Sequence, residues 1–439
     1  MSGGLILAAP ASGSGKTVIT LGLLRHLARS GYGIASAKAG PDYIDPSFHA
    51  AASGAPCLNL DPWAMRGITL QGLVAQLERR AEHVICEGVM GLFDGAGTAA
   101  AGSTADLAAM TGWPVVLIVD ARGQGASAAA LVRGFATHRP DITLAGVIFN
   151  RVSSERHGRI LTDALAAALP ALPMLGVVPR GEGLALPERH LGLVPAGEHG
   201  ALDAFLDHAA DHVASAIDVA TLLALARRSS LPAPTERVQP LAPLGRHIAV
   251  ARDAAFTFLY PAVLEGWMRG GAELSFFSPL ADEALASTAN AVYLPGGYPE
   301  LHAGTLAGNS AFLAGLRAAA TRQATIYGEC GGYMALGEAL IDGTGRSHRM
   351  TGLLPLVTSF AVRRLHLGYR VLRLAGAMPF GSAGTAFRGH EFHYARTLSE
   401  GPGEALFETS DADGRVLGPA GLRVGTVTGS FMHIVDRAA

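Results

Sequence analysis

The segment that most constrains the fold is a glycine-rich turn near the N-terminus, set between an apolar run and a helical pattern. Residues 4–9 (GLILAA) predict a buried strand, and residues 18–29 place apolar side chains at helical spacing. The turn between them reads PASGSGKT. A strand–loop–helix of this kind aims backbone N–H groups and a helix N-terminus at a phosphate. It therefore predicts an α/β domain with a phosphate site.

The side chains of this loop agree with a nucleotide phosphate site. We expect Lys16 to reach the β- and γ-phosphates and the Thr17 hydroxyl to ligate Mg²⁺. The standard pattern has glycine where this chain has Pro10, although the remaining glycines still permit a close turn. A purely structural turn is the alternative. The predicted ATP-binding residues of the loop are Gly13, Ser14, Gly15, Lys16 and Thr17.

Composition excludes several other classes of protein. Of 439 residues, 16% are charged and 49% apolar, which is too apolar for a disordered chain. A net charge of −2 argues against a general nucleic-acid binder. Every apolar run ends before membrane-spanning length, and three cysteines are too few for a disulfide framework. We expect a soluble, cytoplasmic protein with no membrane or nucleic-acid partner.

The alternation of strands and helices indicates two α/β domains. Strand and helix patterns alternate over residues 1–200, which predicts a mostly parallel sheet with flanking helices. Residues 201–245 read as alanine-rich helix followed by a proline-rich linker. The alternation restarts at residue 247, so residues 246–439 form the second predicted domain.

Further polar residues follow the strands of the first domain. Only two of the 34 basic residues are lysines, Lys16 and Lys38, which suggests that both positions need an ammonium group. Glu87 ends a strand, where a carboxylate can hold Mg²⁺ opposite a phosphate loop. Asn150 ends another strand and could read an adenine edge. Solvated loop acids are the alternative for the carboxylates. Lys38 and Asn150 complete the predicted ATP-binding residues. In these loops Asp45 is a candidate for both metal and substrate, and the other substrate candidates are Asp42, Tyr43 and Asp94.

The second domain contains a candidate nucleophile. TIYGECGGYMALG predicts a strand, a sharp turn and a helix, and such a turn should expose the Cys330 thiol and lower its pKa. Gly296 and Gly297 could direct N–H groups to an oxyanion beside it. His433 is the candidate base. The alternative for Cys330 is a core cysteine, the role expected for the other two cysteines.

The run GHEFHY contains two histidines and a glutamate, which are the residue types of zinc-binding motifs. His390 and His393 are three residues apart in a strand-like alternation, whereas zinc-binding helices place histidines four apart. A domain-interface or substrate-wall role is favoured over metal binding. The basic stretch at 362–373 could face an acidic substrate, or could be a solvated strand face.

Taken together, these motifs resemble known families over almost the whole chain. The first domain resembles the dethiobiotin-synthetase-like ATP-dependent enzymes, and GPDYIDP, EGVMGLFDG and LPERHLGLV resemble the cobyrinic and hydrogenobyrinic acid a,c-diamide synthases. Residues 246–439 resemble class I glutamine amidotransferases, which implies a flavodoxin-like domain. Many of those enzymes have glutamate two residues after the histidine, where this chain has Val435. The third member of the Cys–His pair therefore stays open, since Asp436 is one position further on.

The resemblance implies a ligase that uses ATP, Mg²⁺ and glutamine. Its implied substrate is a corrin polycarboxylate, hydrogenobyrinate in preference to cobyrinate or a nickel tetrapyrrole, amidated at the a and c acetates through an acyl phosphate. Asp45 and Tyr43 are implied to orient the carboxylate, ammonia is expected to pass internally, and a homodimer is possible. The rivals are a P-loop switch ATPase, which leaves Cys330 unexplained, and a cysteine hydrolase, which leaves the lysines unexplained.

Overall fold

The structure, a computed structural model, describes residues 2–438 except 187, 190, 191, 194, 195, 199 and 235–238. The chain divides into two compact units. Unit 1 comprises residues 1–63, 70–189 and 193–237, and unit 2 comprises residues 64–69, 190–192 and 238–439. Unit 2 therefore includes a short segment, 64–69, that lies within the first predicted domain in sequence.

Unit 1 is built on a seven-stranded sheet whose neighbouring strands all run parallel, in the order β3-β2-β4-β1-β5-β6-β7. Its central strands are runs of buried apolar residues, as expected for a sheet covered on both faces. The strands are β1 (Gly3–Ala8), β2 (Ile34–Ala39), β3 (Leu58–Leu60), β4 (His83–Glu87), β5 (Val115–Asp120), β6 (Leu144–Val152) and β7 (Met174–Pro179), and a small separate pair is β8 (Glu188–Arg189) with β9 (Gly192–Leu193).

Helices connect these strands as right-handed α/β folding requires. They are α1 (Lys16–Arg29), α2 (Ile44–Ser53), α3 (Gly67–Arg80), α4 (Thr104–Thr111), α5 (Ser127–His138), α6 (Glu155–Ala168), α7 (Leu202–Ala216) and α8 (Val219–Ala224). The predicted helix over 201–229 is thus two helices with a break at residues 217–218. Helix α7 packs on α1 closely enough that a methyl group added at Gly22 would lie 2.5 Å from the Ala209 carbonyl oxygen.

Unit 2 contains a ten-stranded sheet in the order β11-β10-β12-β13-β22-β21-β20-β17-β18-β23. Its first five strands are parallel, and the remaining pairings are antiparallel. The strands of this sheet are β10 (His247–Ala251), β11 (Glu273–Phe277), β12 (Ala291–Leu294), β13 (Thr325–Glu329), β17 (His366–Leu374), β18 (Ala386–His393), β20 (Glu404–Asp411), β21 (Val416–Val424), β22 (Val427–Ser430) and β23 (Met432–Arg437). A separate four-stranded sheet, in the order β15-β14-β16-β19, consists of β14 (Ala339–Ile341), β15 (Ser347–Arg349), β16 (Leu356–Ser359) and β19 (Arg396–Glu400). The helices are α9 (Pro261–Arg269), α10 (Ala303–Gly308), α11 (Ser310–Thr321) and α12 (Gly331–Leu336).

The predicted α/β class with a mostly parallel N-terminal sheet is confirmed. The parallel strands bring their carboxyl ends to one edge in each unit, and that edge carries the candidate sites. Four of the nine residues of the motif LPERHLGLV, at 186–194, lie outside the described residues, so its predicted role has no structural account. None of the described helices is long and apolar enough to cross a membrane.

Candidate active sites

The phosphate loop joins β1 to α1, with α1 beginning at Lys16. Gly13 and Gly15 have φ angles of 76° and 88°, a left-handed conformation that favours glycine. At Gly15 a side chain would also collide with Asn150, since a Cβ atom would lie 2.3 Å from its amide nitrogen. The loop therefore needs glycine for both conformation and space, although Pro10 departs from the standard pattern.

Asn150 braces this loop. Its side-chain nitrogen donates to the carbonyl of Ser14 at 2.9 Å, and its side-chain oxygen accepts the N–H of Arg151 at 2.9 Å. It also lines a cavity of about 300 Å³ beside Gly15. The amide is thus engaged with the backbone of the loop, so these bonds do not favour the predicted reading of an adenine edge.

Lys16 lies in the loop with its ammonium group directed inward. Its Nζ donates to the carbonyl of Met90 at 2.6 Å. Burial, and next the charge of Lys38, lower its pKa to about 8. The charge of Lys38 thus acts against the buried ammonium of Lys16, and an anion such as a nucleotide phosphate would offset that repulsion.

Lys38 is the centre of a buried cluster of charges. Its Nζ lies 2.6 Å from Asp45 and 3.0 Å from the Oε1 atom of Glu87, while Thr17 donates its hydroxyl to the same Oε1 atom at 2.7 Å. Burial alone would lower the pKa of Lys38, but the adjacent carboxylates raise it. Burial and the charge of Asp42 raise the pKa of Asp45 to about 6. The cluster unites four of the residues predicted to bind metal, phosphate or substrate.

The oxygen atoms of this cluster fit Mg²⁺. Thr17 and Glu87 offer a hydroxyl and a carboxylate oxygen 2.7 Å apart. Neighbouring ligands of an octahedral Mg²⁺ ion lie about 2.9 Å apart, and hard oxygen donors are the ligands it prefers. The Asp45 carboxylate reaches the cluster through Lys38.

A residue that the sequence analysis missed, His49, holds the other oxygen of Glu87. Its Nε2 atom lies 2.6 Å from Glu87 Oε2, and its Nδ1 atom lies 3.5 Å from the Cys57 thiol. Burial alone would lower the pKa of His49, but Cys57 and Glu87 raise it to about 10. Lys38 and His49 together lower the pKa of Glu87 well below its ordinary range, against the effect of burial. The spacing of His49 four residues after Asp45, on one face of α2, was the available signal.

The remaining predicted substrate residues shape loops at the same edge. Asp42 accepts the N–H groups of Ile44 and Asp45 at 2.7 and 3.0 Å, which orders the start of α2. Tyr43 is the residue that precedes this helix. Asp94 accepts the N–H of Gly91 at 2.8 Å. The carboxylates of Asp42 and Asp94 thus support the two loops that follow β2 and β4.

Cys330 lies in the sharp turn that the sequence predicted. It follows β13 directly, begins α12 and has φ of 47°, which is strained for a residue other than glycine. The turn needs Gly332 behind it, because a Cβ atom there would lie 2.0 Å from the Leu294 carbonyl oxygen. Strain of this kind at a strand-to-helix turn is typical of a nucleophile position.

The prediction that the turn exposes the thiol is wrong. Cys330 is 1% exposed, and its sulfur lies 3.9 Å from the carbonyl of Phe392. Burial, with the nearby charge of Glu300, raises the thiol pKa instead of lowering it. The turn was readable from local sequence, whereas its cover comes from residues distant in the chain.

The glycine pair after β12 and His433 surround this turn. A Cβ atom on Gly331 would lie 3.0 Å from the backbone nitrogen of Gly297, and one on Gly296 would lie 2.6 Å from Cε1 of His433. The Cys330 N–H donates to the carbonyl of Ser430, three residues before His433. The structure therefore brings the predicted thiol, base and oxyanion loop together.

A second missed residue, Glu329, lies beside His433. Its Oε2 atom is 3.7 Å from His433 Nδ1, and both side chains are buried. Asp436, by contrast, faces away from the pair, because it accepts the backbone N–H of Arg66 and pairs with the Arg66 guanidinium, both at 2.8 Å. The position of Glu329 next to Cys330 was the only signal in the sequence.

The GHEFHY run forms part of β18, as its alternation predicted. His390 stacks on His433 with ring centres 4.8 Å apart and bonds the Tyr260 hydroxyl at 2.9 Å. On β18, Glu391 lies 3.0 Å from His393 and 2.7 Å from Arg370. The rings of His366 and His393 stack within 3° of parallel, so a single ion could not lie in both ring planes. His366, Glu391 and His393 nevertheless each offer a possible metal-ligand atom, and these atoms lie within 4.8 Å of one another. The expectation that the run is not a metal site stays a prediction.

Two family models that match this chain identify its class of protein. Residues 5–194 match the family described as CobQ/CobB/MinD/ParA nucleotide binding domain, and residues 247–438 match the CobB/CobQ-like glutamine amidotransferase domain. The protein thus joins a nucleotide-binding unit to a glutamine amidotransferase unit, as a glutamine-dependent ligase does.

The particular family follows from full-length relatives. The chain is 54% identical over 434 residues to a hydrogenobyrinate a,c-diamide synthase of Brucella anthropi, covering 99% of this chain and 98% of the relative. It is 54% identical over 433 residues to the enzyme of that name from Rhizobium meliloti, covering 99% of each. The chain belongs to the hydrogenobyrinate a,c-diamide synthase family.

Proposed function

We propose that this chain converts the a and c acetate carboxylates of hydrogenobyrinate, a corrin polycarboxylate, into amides with ATP and glutamine. The observation that carries the proposal is the match to hydrogenobyrinate a,c-diamide synthases over 99% of the chain. The buried lysine cluster of unit 1 and the cysteine turn of unit 2 supply the two chemistries that such a reaction needs.

In unit 1 the reaction is phosphoryl transfer to a carboxylate. A carboxylate does not react with ammonia at neutral pH, because oxide is a poor leaving group, whereas an acyl phosphate does react. Lys16 and Lys38 stabilise charge on the transferred phosphoryl group. Thr17 and Glu87, with Asp45 nearby, would hold Mg²⁺, and the bound ion would neutralise phosphate charge.

In unit 2 the reaction is hydrolysis of glutamine. His433 takes the proton of the Cys330 thiol, and the thiolate attacks the side-chain amide carbon. The N–H groups at Gly296 and Gly297 stabilise the oxyanion. Ammonia leaves with a proton from His433, and water then releases glutamate from the thioester.

The proposal also covers the transfer of ammonia and the cellular compartment of the reaction. Ammonia passes to the acyl phosphate without entering bulk water, where it would be protonated. The reaction takes place in the cytoplasm, in agreement with the unpaired thiols of Cys57, Cys86 and Cys330.

The test is Cys330→Ala, assayed with glutamine and with added ammonia. We expect glutamine-driven amidation to be lost and ammonia-driven amidation to be kept, because only the release of ammonia needs the thiol. Cys86→Ala, which removes a buried thiol in β4, is the matched control and should retain both activities. Loss of both activities in a folded Cys330→Ala protein contradicts the proposal.

Substrate choice needs a separate measurement. Purified protein with ATP, Mg²⁺ and glutamine is offered hydrogenobyrinate, cobyrinate or a nickel tetrapyrrole, and the products are weighed by mass spectrometry. Conversion of hydrogenobyrinate to a diamide in preference to the others supports the proposal. Preference for cobyrinate overturns the substrate assignment, and ATP hydrolysis with no amidation favours a switch ATPase.

A further inference from the structure

The usual position for the acid of a Cys–His–acid triad is not acidic in this chain. Val435, two residues after His433, is buried and apolar. The next residue, Asp436, is occupied by the backbone and guanidinium of Arg66. A buried histidine that must accept a proton nevertheless gains from a carboxylate that fixes its tautomer and stabilises its charged form.

We propose that Glu329, the residue before the nucleophile, is the acid partner of His433. This inference rests on the proposed function of unit 2. Glu329 Oε2 lies 3.7 Å from His433 Nδ1, with side-chain exposures of 3% and 1%. The separation is longer than a hydrogen bond, and hydrogen bonds of catalytic groups are often long until substrate binds.

The fold anchors Glu329 to the strand that carries His433. Strands β13 and β22 are parallel neighbours with Glu329 opposite Ser430, which directs the end of β13 toward the start of β23. Glu329 Oε1 accepts the backbone N–H of Ile434, the residue after His433, at 3.2 Å. The carboxylate and the imidazole are therefore held on one backbone framework.

Two tyrosines fix the orientation of the carboxylate. Tyr327 donates its hydroxyl to Oε1 at 2.9 Å, and Tyr293 donates to Oε2 at 2.8 Å. With the N–H of Ile434, these bonds use three of the roughly four acceptor sites of a carboxylate. The remaining capacity is on Oε2, the oxygen closest to His433.

The two tyrosines that donate to the Glu329 carboxylate are neutral. Burial, and then Glu329 itself, raise the pKa of both tyrosines, so they remain neutral donors. The other rings beside His433 are the neutral ring of Phe258 and the ring of His390, which stacks on the imidazole. A carboxylate held by neutral groups can stabilise an imidazolium more than one already paired with a cation.

Glu329 thus acts as a positioning residue. A hydrogen bond from Nδ1–H of His433 to Oε2 would fix the tautomer in which Nε2 accepts the thiol proton of Cys330. The resulting imidazolium would be stabilised by the carboxylate, which matters because burial raises the thiol pKa. The proton moves from Sγ to Nε2, and none is transferred to Glu329.

The test is the glutaminase reaction of Glu329→Gln, which keeps the size of the side chain and removes its charge. We expect kcat for glutamine hydrolysis to fall on the order of 10²–10³-fold with KM within about threefold. Ammonia-driven amidation should be unchanged. Glu338→Gln, the same change at an exposed residue, is the matched control.

Two further readouts separate positioning from a structural role. Alkylation of Cys330 by iodoacetamide should slow in Glu329→Gln, and its pH profile should move to higher pH, because the imidazolium that accompanies the thiolate is less stable. Glu329→Asp, which keeps the charge, should recover part of the rate. If Glu329→Gln does not fold stably, the test is made on Glu329→Asp instead. The pH profile of Cys330 alkylation is then compared between Glu329→Asp and the wild type.

The outcomes distinguish the inference from the proposed function. A wild-type chain that hydrolyses glutamine while Glu329→Gln keeps its kcat and pH profile overturns the role of Glu329 alone. A kcat loss with an unchanged alkylation profile also overturns it, because it would reflect packing. A wild-type chain that releases no ammonia from glutamine overturns both.

Discussion

Each unit buries a glutamate at the end of a central parallel strand, and the two glutamates have opposite surroundings. Glu87 ends β4 and faces the ammonium of Lys38 at 3.0 Å and the ring of His49 at 2.6 Å. Glu329 ends β13 and accepts hydrogen bonds from two tyrosine hydroxyls. The same residue at the same position in the strand therefore has a charged shell in one unit and a neutral shell in the other.

This difference shows that carboxylates at equivalent strand ends can have different electrostatic roles. A carboxylate paired with cations remains ionised at any physiological pH and keeps Lys38 in place for a polyanionic ligand. A carboxylate held by neutral donors keeps its negative charge available to a neighbouring imidazole. Under the proposed function, the surroundings of each glutamate, more than its place in the sheet, suit Glu87 to phosphoryl transfer and Glu329 to proton transfer.

The largest expected effect is that of Glu87→Gln. The change removes the charge that Thr17, Lys38 and His49 share, so phosphoryl transfer should fall on the order of 10²–10³-fold with either glutamine or ammonia. The amidation rate with each nitrogen source checks this. Glu155→Gln, at an exposed position on α6, is the matched control. An ammonia-driven rate that stays at the wild-type level would erase the distinction between the two glutamates.

A smaller effect is expected from pH on ATP binding. Because the pKa of Lys16 is lowered to about 8, its ammonium is present below that pH, and ATP affinity there should be flat. Above it the free protein must take up a proton to bind, so Kd should rise up to about tenfold per pH unit. Titration calorimetry with Mg-ATP between about pH 7 and pH 10 measures this. In Lys16→Arg, which stays charged, any remaining binding should be independent of pH, and a flat wild-type profile would contradict the prediction.

The smallest effect concerns the neutral shell of Glu329. Tyr327→Phe removes one donor from the carboxylate, so we expect glutamine-driven turnover to fall by about 2–12-fold, the equivalent of about 0.5–1.5 kcal/mol. Steady-state rates with glutamine and with ammonia measure it, and only the former should change. Tyr32→Phe, at an exposed position in unit 1, is the control. An equal fall in the ammonia-driven rate would place the tyrosine's role in folding instead.

Local patterns were enough to predict much of the fold. Apolar runs of strand length and glycine-punctuated turns predicted the α/β class, the phosphate loop and the turn at Cys330. These features depend on residues within about ten positions of each other, where conformational preference and periodicity act directly. Glu87 was predictable for the same reason, since it comes directly after a short apolar strand.

The errors and omissions share a physical cause. His49 reaches Glu87 across 38 residues of sequence, and Glu329 reaches His433 across 104, so no local pattern pairs them. Cys330 was expected to be exposed because a turn at a strand end usually is, yet Phe392 and Glu300 lie near it from distant segments. Asn150 donates its amide to Ser14, another contact that local sequence does not reveal, and its expected role at a base stays a prediction.

The sequence by itself determined which residues stand at the ends of strands and which loops can turn tightly, because both depend on local backbone preference. Only the tertiary structure decided the partners of the buried charges, the burial of the thiol and the identity of the carboxylate beside His433. Those properties depend on desolvation and on distances of a few ångströms between side chains that sheet pairing alone brings together.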